Sequence, residues 1–416
     1  YPADMKGTSL FLITAITFAS LPVGAAPGDL DSSFGVGGQL VTAVGSGDAG
    51  AQDVALQSDG KLVAVGYSHN GSDNDFAVVR YNADGSLDTT FNATGKAIAD
   101  FGGSSDVGSG VAVQSDGKII AVGTASIAST WLFALARFHP DGSLDTSFGV
   151  AGTGKVTTTI GSPNSQTKAE GVKIQPDGKI LVAGSADLGF ALDFVVLRYN
   201  SDGNLDNDFG AGGLVSTNIY GYGNHTDTAF DLALRSDGQI LLGGHSTGPL
   251  RNGYLVTVYN SDGSPDASFA TGGTRFSEEM NQVHCVAWQA DGKFLIGGIN
   301  GGGAGRNFIL WRFSETGVAD TTFGTNGSVV TPIGTAADVP YDMEVQSDGK
   351  IVVVGSSYNA NTGFEDFAVV RYNEDGSLDT TFRGTGKVTT SFPGGTSVGR
   401  NMVIGPDGRI VLAGQA

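Results

Sequence analysis

The stretch of this chain closest to a metal-binding loop is Asn82-Ala83-Asp84-Gly85-Ser86-Leu87-Asp88. A glycine after two oxygen-bearing side chains, then an apolar residue, then Asp, is the order found in the middle of a calcium loop. The two ends do not fit. Arg80 stands where the first ligand belongs, and Phe91 stands where a bidentate Glu would close the loop. An Asx-type turn accounts for the same Asn and Asp. No metal ligand is therefore assigned and no cofactor is expected, with calcium as the alternative. The loop also recurs. Asp88, Asp145, Asp206, Asp266, Asp320 and Asp379 form one column of the sequence, and Arg80, Arg137, Arg198, Arg312 and Arg371 form another. A catalytic group is normally single, so both columns read as structural: an Arg–Asp pair or an Asp-capped turn repeated through the fold.

The remaining reactive residues give no catalytic assignment. His69, His139, His225, His245 and His284 lack metal-ligand spacing. Cys285 lies in the apolar run His284-Cys285-Val286-Ala287-Trp288, the setting of a buried structural thiol. The glycine-rich run Gly301 to Gly305 precedes a strand pattern, so no helix N-terminus faces a phosphate there. No G-x-S-x-G nucleophile elbow with triad partners is evident. One segment stands out for recognition. Tyr220, Tyr222, Asn224 and His225 share one loop, with His245, Arg251 and Asn252 near a second loop expected on the same face. Aromatic rings beside polar groups offer contact area with little entropy to lose. Tyr220, Tyr222, Asn224, His225 and His245 are the candidate ligand-binding residues.

The elements that would position these residues come from repetition. An Asp-Gly pair recurs at Asp59, Asp116, Asp177, Asp237, Asp291, Asp348 and Asp407, with a spacing of 54 to 61 residues. A second motif, fullest as Asp84-Gly85-Ser86-Leu87-Asp88-Thr89-Thr90-Phe91, keeps step with it. Its Phe recurs at Phe34, Phe91, Phe148, Phe209, Phe269, Phe323 and Phe382. Each copy reads as four short strands, placed in copy one at Gly38 to Val44, Asp53 to Gln57, Leu62 to Gly66 and Phe76 to Tyr81. Asp-Gly predicts a tight type I′ hairpin between the second and third. Leu87 and Phe91 are expected to wedge between neighbouring units. Units of this kind cannot bury both faces alone, and a closed ring solves that. The expected fold is all-β, a β-propeller of about seven four-stranded blades. The last copy stops at Ala416 after its third strand, which predicts an incomplete final blade and a chain that is a fragment.

Composition agrees with a compact fold at 40% hydrophobic residues. The net charge of −19 argues against nucleic acid or an anionic membrane as partner. Lys6, the apolar Leu10 to Ala19 and the small residues Val23-Gly24-Ala25 read as a secretory leader that starts at Met5. The apolar stretch is shorter than the roughly 20 residues of a membrane span. Residues 1–25 are thus expected to be a signal peptide and 26–416 the repeat domain, secreted, periplasmic or at the cell surface, and monomeric. The single cysteine excludes an internal disulfide.

The combination of S-D-G-K-I, D-F-A-V-V-R-Y-N and D-G-S-L-D-T-T-F is similar to the delta-60 repeat, a bacterial β-propeller-like family of unassigned function. The resemblance covers roughly residues 28 to 416. Copies four and five depart from it: Val258 replaces the strand Arg, Pro265 replaces Leu, and Gly317-Val318-Ala319-Asp320 stands for G-S-L-D. The resemblance implies an envelope or extracellular location and supplies no reaction or ligand. The expected function is a non-catalytic binding, adhesion or scaffold module for an extracellular glycan or protein. The alternative is a hydrolase or lyase acting on an extracellular glycan from one propeller face.

Overall fold

A computed structural model describes residues 11–16, 26–161, 166–189, 191–218, 225–249, 252–279, 282–301, 303–392 and 395–415. They form seven antiparallel sheets of four strands each. From the inside outward, blade 1 is Ala49–Leu56, Leu62–His69, Asn74–Tyr81 and Lys96–Ala99, and blade 2 is Ser105–Val113, Ile119–Ile127, Thr130–Phe138 and Lys155–Thr158. Blades 3 to 6 repeat this order, with innermost strands Thr167–Ile174, Thr226–Leu234, Gln282–Trp288 and Asp338–Val345. Blade 7 starts at Val398–Ile404. Each innermost strand packs on the next, and blade 7 packs back on blade 1. The protein is a seven-bladed β-propeller whose first strands line the axis.

Three expectations need correction. First, the sequence repeat and the blade are out of step by one strand. The segment expected to open each copy is the outermost strand of the preceding blade, so Gln39–Thr42 belongs to blade 7. The linker after the third strand folds back on its own sheet: Tyr81 bridges Leu87, and Lys96 to Ala99 then pair with Phe76 to Val79. Second, the final blade is not incomplete. Phe11–Ile16, inside the stretch read as a leader, pairs with Ile410–Gln415 on one side and Gln39–Thr42 on the other. An apolar strand thereby satisfies two sheet edges at once, and Phe11 and Ile13 are fully buried. Third, the Asp-Gly hairpin is not type I′. Only Gly60 has positive φ, Gly60 N–H donates to Gln57 C=O, and Gln57 N–H donates to Lys61 C=O. This is a three-residue loop with glycine in the left-handed position.

The core is divided among the blade junctions. Phe91 packs with Val63 and Val78 of blade 1 and Val111 and Ile119 of blade 2, while Leu87 packs toward the junction of blades 7 and 1. The two apolar residues of one linker thus serve two different junctions. The Asp-Gly turns and these linkers emerge on one face of the ring. The variable loops emerge on the other.

Candidate functional site

The two repeated columns meet in the linkers. Arg80 Nε donates to Asp88 Oδ2 at 2.7 Å, and Lys61 Nζ lies 3.0 Å from the same oxygen. The guanidinium also donates to the Pro140 carbonyl of blade 2 at 2.5 Å and lies over the Phe91 ring at 4.7 Å. The pair recurs as Arg137–Asp145, Arg198–Asp206, Arg312–Asp320 and Arg371–Asp379 at 2.7 to 2.9 Å. Burial alone would raise Asp145, but Ser147, Lys118 and Arg137 hold it well below the usual carboxylate range. Asp266 has Val258 opposite and takes Gln239 Nε2 at 3.0 Å instead. Asp84 Oδ1 accepts from Ser86 N–H and Oγ–H at 2.9 and 2.7 Å, so an Asx turn forms in the linker. These columns join blade to blade.

Two junctions lack the strand arginine, and each has a substitute that sequence reasoning missed. In blade 4, Arg235 reaches Glu315 of blade 5 at 2.6 Å and stacks on Trp288 at 4.9 Å. In blade 7, Ala15 falls in the Arg register, opposite Val411. There Arg409, which stands in the lysine column, takes Asp31 at 3.1 Å and donates to the Ala83 carbonyl of blade 1 at 2.8 Å.

A different pattern appears at the axis. Every innermost strand carries a β-bulge, at Gln52, Ser109, Glu170, Phe230, His284, Tyr341 and Arg400. A bulge re-aims a side chain and is frequent beside binding sites. All seven residues differ. On blades 4 to 7 they form a continuous cluster: Phe230 stacks between His245 at 5.2 Å and His284 at 5.0 Å, Tyr341 meets the edge of His284 at 5.8 Å, and Arg400 lies over Tyr341 at 4.7 Å. Arg400 of blade 7 also bears electrostatically on Glu170 of blade 3, which lies across the axis. Burial, followed by the positive groups His245, Arg400 and Arg306, pushes His284 down to about 3. Burial also lowers His245. His245 Nδ1, His284 Nε2 and Arg400 Nε are buried atoms with no hydrogen-bond partner among the described residues.

Nearer the Asp-Gly face, Lys173 is accessible to water within the lumen yet surrounded by protein, with Asp53, Asp231, Asp342 and Glu344 acting on it from other blades. Burial would strip its charge, but those four carboxylates outweigh burial and raise its pKa. Burial lifts Asp53 and Asp231 to about 7 and Glu344 to about 8. Each Asp also staples two inner strands. Asp53, for example, accepts from Val54 N–H at 2.8 Å and from Val111 N–H of blade 2 at 2.6 Å. Cys285 is buried beside Asp231 and Asp342, and burial pushes its thiol well up.

Of the residues singled out from sequence, Tyr220, Tyr222 and Asn224 lie outside the described residues. His245 lies not in the loop but near the end of the second strand of blade 4, Ile240–Thr247, paired with Thr228, and it reaches the axial cluster. His225 lies against Gly248 in the loop that follows that strand. His69 and His139 belong to blades 1 and 2 and to no cluster of histidines. Asp75, Asp100 and Asp106 bring one carboxylate oxygen each within 4.8 Å of one another at the junction of blades 1 and 2. A surface groove of about 980 Å³ between the linkers of blades 5 and 6, lined by Trp311, Asn326 and Lys387 among others, is remote from the axis and lined mostly by repeat positions. No helix among the described residues is long and apolar enough to cross a membrane.

Comparison with known proteins supports the repeat reading. A family model described as "Domain of unknown function (DUF5122) beta-propeller" matches residues 57–91, 114–148, 175–209, 235–269, 289–323 and 346–382. No curated protein matches the chain. Among solved structures, polysaccharide lyase Uly1 aligns at 10% identity over 98% of each chain with a TM-score of 0.51. A protein from Lactobacillus plantarum aligns at 11% identity over 89% of this chain and 95% of its own, with a TM-score of 0.46. A protein of unknown function from Bacteroides caccae aligns at 13% identity over 77% and 97%, with a TM-score of 0.38. At such identities the likeness is one of fold alone.

Proposed function

We propose, for a chain that belongs to the DUF5122 beta-propeller family, a secreted or cell-surface module that binds an extracellular ligand at the axial mouth on the variable-loop face. The observation that carries this is the bulge column. The backbone repeats seven times, yet Gln52, Ser109, Glu170, Phe230, His284, Tyr341 and Arg400 are seven different residues brought to one lumen. Individual side chains on a repeated frame are what a single binding site requires. The finer name delta-60 repeat, a monomeric state and export through residues 1–25 belong to the same reading. The module acts by binding, without bond chemistry.

Affinity electrophoresis through gels holding neutral or acidic polysaccharides, one at a time, tests it. The wild type should be retarded by at least one polysaccharide, and the double variant Phe230→Ala/Tyr341→Ala should migrate freely with its Tm nearly unchanged. Free migration of the wild type in every gel, or retardation that persists in the variant, would refute the site. One observation favours a second reading, a lyase: His284 Nε2 has no hydrogen-bond partner among the described residues and its ring meets Tyr341, two side-chain types that serve as general base and acid. New polysaccharide ends formed by the wild type and lost in His284→Ala would replace binding with catalysis.

A further inference from the structure

The arginines of this chain are nearly all spoken for. Arg80, Arg137, Arg198, Arg235, Arg275, Arg312, Arg371, Arg383 and Arg409 each have a carboxylate within ion-pair distance. Among the described residues only Arg306 and Arg400 do not, although the chain has 42 acidic residues against 23 basic ones. These two arginines are also the two whose charges bear on His284. Arg306 is exposed in the loop between the second and third strands of blade 5, and Arg400 stands at the bulge of blade 7. They flank the axial mouth on the side where His245 Nδ1 and His284 Nε2 lack partners. The acids that act on Arg400 do not pair with it. Glu170 is held by Lys168 Nζ at 2.5 Å, and Glu365 acts on Arg400 only from beyond ion-pair distance.

We infer that the axial mouth is built for an acidic saccharide, with a sugar carboxylate held between Arg400 and Arg306. This rests on the binding function proposed above and adds the ligand class. Charge-assisted hydrogen bonds from guanidinium to carboxylate are the strongest recognition contacts available to such a site. The opposite arc of the ring suits the hydroxyls. Ser109 Oγ–H donates to the Ala169 carbonyl at 2.7 Å and Gln52 Nε2 donates to Gln415 at 3.1 Å, which leaves their oxygens as acceptors. The imidazole nitrogens of His245 and His284 complete the polar set, and Phe230 and Tyr341 supply apolar wall. A chain of net charge −19 repels anions in general. Selectivity for an acid is therefore a property of this mouth and not of the protein's overall field.

Calorimetric titration with trigalacturonate and with its methyl ester, at low salt, tests the inference. The acid should bind at least about tenfold tighter than the ester, a difference of about 1.4 kcal/mol. Arg400→Gln should abolish that preference without moving the Tm, and Arg306→Gln should reduce it. Equal binding of acid and ester, with loss in Phe230→Ala, would overturn the acidic ligand while leaving the axial site standing. Acid binding unaffected by Arg400→Gln and by Phe230→Ala would overturn both. Binding of neither sugar, or tighter binding of a hexaglutamate peptide, would also overturn the acidic saccharide.

Discussion

Replacing Arg137 by Met removes one blade-to-blade clamp while keeping an unbranched apolar stem in its place. Arg137 and Asp145 are 5% and 1% exposed, so the pair is shielded from solvent. The substitution loses the 2.8 Å contact to Asp145, the donor to the Ser201 carbonyl of blade 3, a 3.3 Å contact to Ser147 Oγ and the stacking on Phe148 at 4.5 Å. Removing one partner of a buried pair costs about 3–5 kcal/mol, since the remaining charge is stranded. Asp145 retains Lys118 at 3.2 Å, and its Oδ1 retains Ser147 N–H and Oγ–H. The expected loss is therefore at the low end, about 3 kcal/mol. The chain supplies its own control. Blade 4 has Val258 and Gln239 where blade 2 has Arg137 and Lys118, and Asp266 is satisfied by Gln239. Arg137→Val with Lys118→Gln copies that arrangement and, because it also trades the Lys118 charge on Asp145 for a neutral donor, should cost about 1 kcal/mol more than Arg137→Val alone. Urea unfolding followed by fluorescence of Trp131, Trp288 and Trp311 reports on both variants. A loss below about 1 kcal/mol for Arg137→Met would place the pair in the class of surface ion pairs and refute the clamp.

Three further outcomes follow from the same geometry. Asp53, Asp231 and Glu344 have folded pKa values lifted to about 7, 7 and 8, so the folded state binds more protons than the unfolded one up to that range, and stability falls as pH rises through it. Tm should rise on titrating from about pH 8.5 to about 7.5, where unfolded histidines, with a pKa of about 6.5, are still mostly uncharged; a Tm that falls over that interval would contradict the channel electrostatics. EDTA should leave Tm unchanged because the linker aspartates are engaged in Asx turns, and a calcium-dependent rise of several degrees would point instead to Asp75, Asp100 and Asp106. Protein recovered from outside the cytoplasm should begin near Ala26 and, having lost Phe11–Ile16 from the middle of blade 7, should melt below the full chain, since Phe11 and Ile13 are buried and each is worth about 1.5–3 kcal/mol. Exported protein with an intact leader would refute the processing, and equal melting would refute the strand's contribution.

The seven-fold architecture was legible because each copy carries two hard local signals, a glycine at positive φ after Asp and a buried Phe at the linker's end. The blade's phase was not legible. Whether Lys96–Ala99 pairs with the strand before it or the strand after it depends on the linker folding back through the Tyr81–Leu87 bridge, and the alternation of side chains is the same in both cases. His245 was misplaced for a related reason: its strand runs on to Thr247, past the apolar core that marked it. The axial column hid behind the bulges. A strand read with period two assigns adjacent residues to opposite faces, whereas the bulge inserts an unpaired residue between them, as at Gln52 between Ala51 and Asp53. A usable signal was nonetheless present. Gln52, Ser109, Glu170, Phe230, His284, Tyr341 and Arg400 each stand seven residues before the Asp of the Asp-Gly turn. No other column so close to a repeated motif changes chemistry so completely.

Departures from the repeat are of two kinds, and compensation separates them. Val258 and Ala15 break the arginine column, but Arg235 and Arg409 restore a blade-to-blade tie at those two junctions. A change answered elsewhere by the same chemistry preserves a mechanical role. Arg409 also makes the tie between blades 7 and 1 independent of the side chains seated in the third strand of blade 7, so an arginine-free strand fits there. The bulge column is not compensated in this way. Nothing returns a ring of like residues to the axis; the replacements instead leave Arg400, His245 and His284 with buried nitrogens that no described residue satisfies. Unmade hydrogen bonds at buried atoms carry a free-energy cost. A scaffold able to repair its clamps at two junctions could equally have filled this lumen with fully paired or apolar side chains. That set is therefore best explained by something it binds.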